Sequence, residues 1–281
     1  MSSVPPLIFI ALLGAAVAAG DEAPRQPVGV SVSLGRATIW QRAPAQDTGL
    51  TILGVSCDLE GTLAVFALFG LVDNRTEGEA RAWGVANPSL GMTLEMPVAR
   101  RLDLGLIFGS TVPVGSGGGD FPSRPIVLRA MLSGTDWGGP MFGPNHIDVY
   151  EGLRLTSSEG GFTFRFRSTL HPAVRVRGKK TDSLGPRVIF TSSGLLAAYA
   201  VTPQLSFFTE LAETRFLNHP PFLQDDPSLA TDRYAVAGLG LDLERRRLTH
   251  VKPSLLYARA VDAPKNRRHF HLIEMNVRVS F

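Results

Sequence analysis

Residues 270–281 read FHLIEMNVRVSF, and this stretch decides the fold. Ile273, Met275, Val277, Val279 and Phe281 place apolar side chains at every second position, and most of the positions between them are polar. A period of two residues is the pattern of a β-strand with one apolar face and one polar face. The chain therefore ends on a strand that separates an apolar surrounding from a polar one.

The composition favours many strands and turns over long helices. The chain has 281 residues, enough for one barrel or two small domains, and it contains 29 glycines and 20 prolines. Its mean hydropathy of +0.10 is too low for a bundle of membrane helices. A net charge of +3 on scattered basic residues does not indicate nucleic-acid binding. Cys57, the only cysteine, excludes an intramolecular disulfide and a cysteine metal cluster.

The N-terminal segment is predicted to be a secretory signal peptide. An apolar run from Val4 to Leu13 precedes the small residues Ala15 to Ala19, which suit cleavage after about Ala18 or Ala19. The basic residues that normally open such a peptide are missing from the first six positions. We expect residues 1–19 to be removed and residues 20–281 to form one domain in the cell outer membrane.

About twelve β-rich segments follow residue 27, and the lengths of their connections alternate. Every odd-numbered connection is longer and every even-numbered one is a tight turn. Outer-membrane barrels have an even number of strands, long extracellular loops and short periplasmic turns, and a soluble sandwich has no reason to alternate in this way. One alternative stays open, because Leu63–Val72 is apolar on both faces and a buried helix fits there too. The longer connections are predicted at Ala43–Gly49, Asp73–Arg81, Pro113–Asn145, Arg177–Pro186, Leu217–Asp232 and Val261–His269.

These patterns predict an all-β fold, an antiparallel up-and-down transmembrane β-barrel of about 12 strands. An alternating last strand that closes on phenylalanine resembles the C-terminal signal of bacterial outer-membrane barrels, so Phe281 is the expected membrane-insertion signal. The expected partners are outer-membrane lipids, the barrel-assembly machinery and a small solute, and not nucleic acid. Residues 113–145 are long enough to fold inward and narrow a pore.

One internal segment carries a family resemblance. NPSLG at residues 87–91 opens a strand, LGL follows at residues 104–106, and VPVGSGGGD closes the segment at residues 112–120. This segment resembles the transporter-like outer-membrane proteins associated with phenol meta-degradation pathways. The resemblance covers about 34 residues. It implies a barrel that transports hydrophobic or aromatic solutes, and it brings no established site residues.

Strand alternation and the cost of charge in lipid select the candidate lumen residues. These are Glu95, Asp103, Asp148, Arg154, Arg165, Arg167, Arg187, Glu210, Asp242, Glu274, Asn276 and Arg278. They could line a solute-selective pore, or they could form a salt-bridge network that plugs the barrel and only stabilises it. Glu151 breaks the pattern because it faces lipid when Arg154 faces inward, and a bulge or a rim position could repair this.

No catalytic or cofactor motif emerges. His269 and His271 share a strand face without further metal ligands, and Thr169 and His171 share another without visible activation of the threonine. We therefore expect no enzyme, no metal and no cofactor. The function predicted is passage or uptake of small solutes, including hydrophobic or aromatic ones. The alternatives are a non-conducting structural or adhesive envelope barrel and, third, a lipid-modifying outer-membrane enzyme.

Overall fold

The computed structural model describes fourteen β-strands and two short helical turns. The described residues are 28–39, 46–59, 62–76, 78, 80–116, 141, 143–178, 184–246, 249–262 and 270–280. The strands are β1 (Val28–Ile39), β2 (Gln46–Leu59), β3 (Leu63–Thr76), β4 (Ala82–Val85), β5 (Ser89–Ala99), β6 (Leu102–Thr111), β7 (His146–Glu159), β8 (Phe162–Arg175), β9 (Arg187–Ala200), β10 (Leu205–Phe216), β11 (Thr231–Leu241), β12 (Leu243–Arg246), β13 (Thr249–Ala260) and β14 (Phe270–Ser280). Helix α1 (Pro221–Asp225) and a 3-10 turn (Pro227–Ala230) lie between β10 and β11.

The strands close into an antiparallel barrel. Apart from β4 with β5 and β11 with β12, each strand pairs with its neighbour in sequence. β1 pairs with β14, and β13 pairs with both β11 and β12. β4 and β5 both pair with β3, so they are two parts of one barrel strand, as are β11 and β12. The ring therefore has twelve strands, and the predicted fold class is confirmed. Among the described residues, no helix is both long and apolar enough to cross a membrane.

The alternation of long and short connections also holds, although several strands run further than predicted. Residues 46–49 and 73–76 were assigned to loops, but they pair with each other as the ends of β2 and β3. Polar side chains do not stop a strand there, because the ladder needs only backbone groups. The segment Leu63–Val72 is strand along its whole length and not helix. Its inward face is apolar because Leu68 and Val72 belong to a packed cluster on the inner wall.

The outer surface carries a continuous band of exposed apolar side chains. Leu211 is 62% exposed, Ile273 57% and Phe164 54%, all on outward positions of different strands. A water-soluble monomer rarely exposes so large an apolar surface, whereas a barrel in lipid requires it. Aromatic rings mark both margins of the band, with Phe162 and Tyr199 packed 4.6 Å apart at one margin and Trp83 at the other.

A buried asparagine ties the longest connection to the barrel wall. The strand formed by β4 and β5 is interrupted at Ala86–Pro88, and Asn87 there is fully buried. Its Nδ2 donates to the Gly143 carbonyl at 2.7 Å and its Oδ1 accepts from the Gly115 N–H at 2.7 Å. The Asn87 N–H donates to the Met141 carbonyl at 2.8 Å. One side chain therefore holds both ends of the β6–β7 connection.

We predict that Asn87→Ala destabilises the barrel by about 2 kcal/mol, because it leaves a buried N–H and a buried carbonyl without partners. Urea unfolding of the refolded protein in detergent micelles measures this loss. Asn276→Ala is the matched control, since its side chain donates to Glu274 beside it on the half-buried lumen wall and its loss should change stability little. Equal losses in the two variants would contradict a special role for Asn87.

Candidate functional site

The inner wall of the barrel has two levels with different chemistry. We call the half nearer the short turns the charged tier and the half nearer the long connections the apolar tier. Ten of the predicted lumen residues lie on inward positions of the charged tier. They are Glu95, Asp103, Arg154, Arg165, Arg167, Glu210, Asp242, Glu274, Asn276 and Arg278. Asp148 also faces inward, but it lies at the level of the apolar tier.

Two ion pairs of the charged tier each span three strands. Arg167 on β8 reaches across Gly194 on β9 to Glu210 on β10, and its Nη2 lies 2.7 Å from Glu210 Oε1. A Cβ at Gly194 would lie 2.3 Å from that oxygen, so only glycine leaves room for the pair. Both side chains of this pair are nearly buried, at 13% and 11% exposure.

The second pair repeats this design on the other side. Arg154 on β7 crosses Gly105 on β6 to bond Glu95 on β5, and a Cβ at Gly105 would lie 3.3 Å from the Arg154 Nε. Arg154 and Arg167 are direct cross-strand neighbours. Like charges at such positions repel each other. The two glutamates offset that repulsion from either side.

The opposite wall of the charged tier has its own polar contacts. Asp242 accepts from Lys252 Nζ at 2.8 Å and lies 3.3 Å from His250 Nδ1. Glu274 accepts from Asn276 at 2.9 Å. Several lumen charges thus form local ion pairs, namely Glu95 with Arg154, Glu210 with Arg167 and Asp242 with Lys252. Their exposed fractions also leave this tier open to solvent, with Glu95 52% and Lys252 50% exposed.

A buried polar cluster that the sequence did not reveal lies in the apolar tier. His171 Nδ1 lies 3.0 Å from Asp148 Oδ2, and its Nε2 lies 2.8 Å from Thr169 Oγ1. This order of carboxylate, imidazole and hydroxyl is that of nucleophilic triads. The Thr169 hydroxyl, however, donates to the Ser192 carbonyl at 3.2 Å and its residue is only 8% exposed. In this arrangement the Thr169 hydroxyl is hydrogen-bonded to the backbone of the barrel wall and is buried.

The register of the β7–β8 hairpin could have been used to predict this cluster from the sequence. The hairpin turns at Gly160 and Gly161, both with positive φ of 58° and 85°, and Glu159 pairs with Phe162. Counting from that turn places Asp148 opposite Ala173, one diagonal step from His171. The sequence placed Thr169 and His171 on one strand face. It did not fix the two turn residues of the hairpin, so the register that brings Asp148 beside them could not be predicted.

A row of aromatic rings crosses the inner wall beside this cluster. It runs over β7, β8, β9 and β10 and ends on α1, with ring centroids 5.6, 4.5, 5.6 and 5.1 Å apart. Its members are Tyr150, His171, Phe190, Phe216 and Phe222. Adjacent rings interact favourably beyond their buried area. The row gives the apolar tier a continuous aromatic surface.

Side chains from three connections fill the apolar tier. Met141 packs on Val72 and Ala86, and Leu184 and Leu223 pack on a wall cluster that includes Phe190 and Phe216. Met141 is fully buried, Leu184 is 5% exposed and Leu223 is 2% exposed. The β6–β7 connection therefore does reach the inner wall at Met141. The lumen is packed at this level by residues from loops as well as by residues of the strands.

Two candidate residues lie outside the predicted pattern. Arg187 does not face the lumen: it pairs with Val174 on the outward face, and Val188 and Phe190 face inward instead. Arg187 is the first residue of β9 at the long-connection end, where an outward charge need not meet hydrocarbon. Glu151 faces outward between Phe108 and Leu170, with no register shift around it, so no bulge turns it inward.

Several predicted features fall outside the described residues. These are the signal peptide, the terminal Phe281, His269 and most of residues 113–145. His271 is described, and it faces outward with its Nδ1 bonded to the Tyr257 hydroxyl. Within the described ranges, no group of three or more metal-ligating side chains comes together.

Comparison with known proteins identifies the fold alone. No family model and no curated protein sequence matches the chain. The porin NanC matches at a TM-score of 0.52 and 10% identity, over 90% of this chain and 98% of that chain. The translocator domain of the autotransporter NalP from Neisseria meningitidis matches at 0.50 and 12% identity, over 98% and 94% of the two chains. The beta domain of the Bordetella autotransporter BrkA matches at 0.50 and 12% identity, over 91% and 98%.

We predict that the pair of Arg167 and Glu210 is a major contributor to barrel stability. Arg167→Ala and Glu210→Ala should each cost about 3 kcal/mol, because each leaves a nearly buried charge without its partner, and the double variant should cost less than the sum. Urea unfolding of all three variants gives the coupling. The pair of Arg233 and Glu213, 57% and 35% exposed, is the control and should show no measurable coupling. Additive losses at the lumen pair would refute the prediction.

Proposed function

We propose that the protein is an outer-membrane barrel through which small solutes pass, with small apolar or aromatic solutes favoured. The observation that carries this proposal is the layered lumen. One half of the inner wall is charged and solvent-exposed, and the other half is apolar and filled partly by side chains that belong to loops. The charged level admits water and polar groups, whereas the apolar level favours solutes with an apolar surface.

The route into the membrane is part of the same proposal. A signal peptide cleaved near Ala18 or Ala19 would deliver the chain to the periplasm, and the strand that ends at Phe281 would engage the barrel-assembly machinery. The exposed apolar band on the outer surface supports insertion into outer-membrane lipid. In this orientation the long connections are extracellular, so the apolar tier lies on the extracellular side and the charged tier on the periplasmic side.

The segment Pro221–Ala230 has the properties of a movable cover. It is two short turns within one connection, and Phe222 and Leu223 hold it to the inner wall by apolar contacts. Gly185, at a φ of 72°, lies directly beneath it, since a Cβ there would be 2.7 Å from Pro221 Cδ. Moving this segment would uncover the aromatic row at Phe216 without breaking the strand ladder. Passage in our proposal therefore requires displacement of this cover.

We predict that Leu223→Asp opens the barrel. A carboxylate placed among apolar side chains costs several kcal/mol, and a short loop segment relieves that cost by leaving the lumen. Single-channel conductance in a planar bilayer should rise several-fold over that of the wild type. Leu217→Asp is the matched control, because it makes the same substitution in the same connection at a residue that is 53% exposed. A rise of equal size in the control would contradict the cover.

Solute preference is tested in vesicles with two anions of low membrane permeability. Methanesulfonate and benzenesulfonate share a headgroup and differ in the aromatic ring. Reconstituted wild-type protein should admit both, and it should admit benzenesulfonate faster than its size alone would allow. If methanesulfonate enters faster than benzenesulfonate by the ratio that their sizes predict, the protein has no preference for aromatic solutes and is a general pore.

A non-conducting envelope barrel is the second candidate, favoured by the close packing of the apolar tier. It predicts a folded, heat-modifiable barrel in which neither the wild type nor Leu223→Asp ever conducts. Conductance of the wild-type protein rules it out.

A further inference from the structure

We infer that the charged tier contains a binding site for the anionic headgroup of a small solute with an apolar body, and that Arg165 is the residue that holds it. This inference rests on the proposed passage of solutes and names their chemical class. It starts from Arg165, the member of the arginine cluster that the ion pairs described above leave over.

The arginines of this cluster differ in their partners. Arg154 bonds Glu95, and Arg167 bonds Glu210 through both its Nε and its Nη2. Arg165 lies two residues from Arg167 on the same face of β8, between Thr156 on β7 and Leu196 on β9. In the part of the chain that the structure describes, Arg165 forms no ion pair, and its buried Nε has no hydrogen-bond partner.

The neighbouring carboxylates Glu95 and Glu210 compensate the charge of Arg165 only in part. Both glutamates of the cluster are already bonded to the other two arginines. Asp103 faces inward at the same level, but Thr156 lies between it and Arg165, two strands away. The cluster thus contains three guanidinium groups and two carboxylates, and each carboxylate is already bonded to Arg154 or Arg167. A guanidinium with unused donors among other cations binds a carboxylate or sulfonate well, because its donors match two oxygens at once.

Apolar groups adjoin Arg165 on the side toward β10. Leu196 is its direct cross-strand neighbour, and Glu210, already bonded to Arg167, lies opposite Leu196 on β10. One diagonal step from Leu196, the Phe208 ring packs across Gly238, whose Cβ position would lie 2.3 Å from Phe208 Cζ. Phe208 also packs against the apolar wall cluster that contains Val236. A solute whose headgroup bonds Arg165 therefore meets an apolar surface with its body.

An arginine placed in this way is expected to serve ligand binding and not the stability of the barrel. Arg165 repels Arg154 and Arg167, and its partly buried charge is unpaired. Removing the charge should relieve this repulsion. We expect Arg165→Gln to be at least as stable as the wild type in urea unfolding, and yet to bind anions more weakly. A purely structural arginine would show the opposite change in stability.

The experiment uses two probes that share a phenyl ring and carry opposite permanent charges, benzenesulfonate and phenyltrimethylammonium. Isothermal titration of the detergent-solubilised barrel measures binding, and vesicle entry measures passage. The wild type should bind benzenesulfonate the more tightly, and Arg165→Gln should weaken that binding roughly tenfold, the usual effect of losing one charge-assisted hydrogen bond. Arg278→Gln is the control for total lumen charge, because β14 lies five strands from β8 by the shorter way round the ring.

Each outcome separates this site from the proposed passage. Equal wild-type binding of the two probes, which needs no variant, would overturn the site. An equal loss in Arg278→Gln would also overturn it, since lumen charge in general would then explain the affinity. Arg165-dependent binding without entry into vesicles would support the site and refute passage. Entry of both probes without dependence on Arg165 would support passage and refute the site.

Discussion

The closed ring of backbone hydrogen bonds is the constraint on which the rest of this structure depends. In hydrocarbon an unpaired N–H or carbonyl costs several kcal/mol, so a sheet can cross a membrane only when its first and last strands pair. Here β1 pairs with β14 along eleven residues. Once the ring is closed, each strand must send alternate side chains to lipid and to the lumen. The apolar outer band and the polar inner wall both follow from that closure.

Inside the ring, glycine controls where charged side chains lie. Arg167 and Arg154 each cross a glycine on the adjacent strand to reach a glutamate two strands away. The side chains thus lie flat along the wall and neutralise each other's charge there. A barrel that needed this cluster only for stability could have paired all three of its arginines, and Arg165, which forms no ion pair among the described residues, makes this tier selective in our proposal.

The apolar tier shows a different use of the same wall. Its inward positions carry aromatic and aliphatic side chains on which loop residues such as Leu223 and Met141 pack. The loop that carries Met141 is also held by hydrogen bonds of the Asn87 side chain, whereas Leu223 is held by apolar contacts. Because apolar contacts are not directional, a loop can leave the wall without disturbing the ladder. In our proposal, gated passage depends on a rigid ring of strands and on loop side chains that can leave its lumen.

The amino-acid sequence by itself determined the all-β barrel, the number of strands, the alternation of connections and the inward face of Glu95, Arg165 and most of the other candidates, because these follow from local periodicity. Only the tertiary structure decided that Arg187 faces outward, that Asn87 fastens a distant loop, that Asp148 meets His171 and that Arg165 is left without an ion pair. Those facts depend on register and on the packing of loops inside the ring. The contacts of Asn87 and of Asp148 join residues that are distant in the chain, and a local sequence pattern does not encode such contacts.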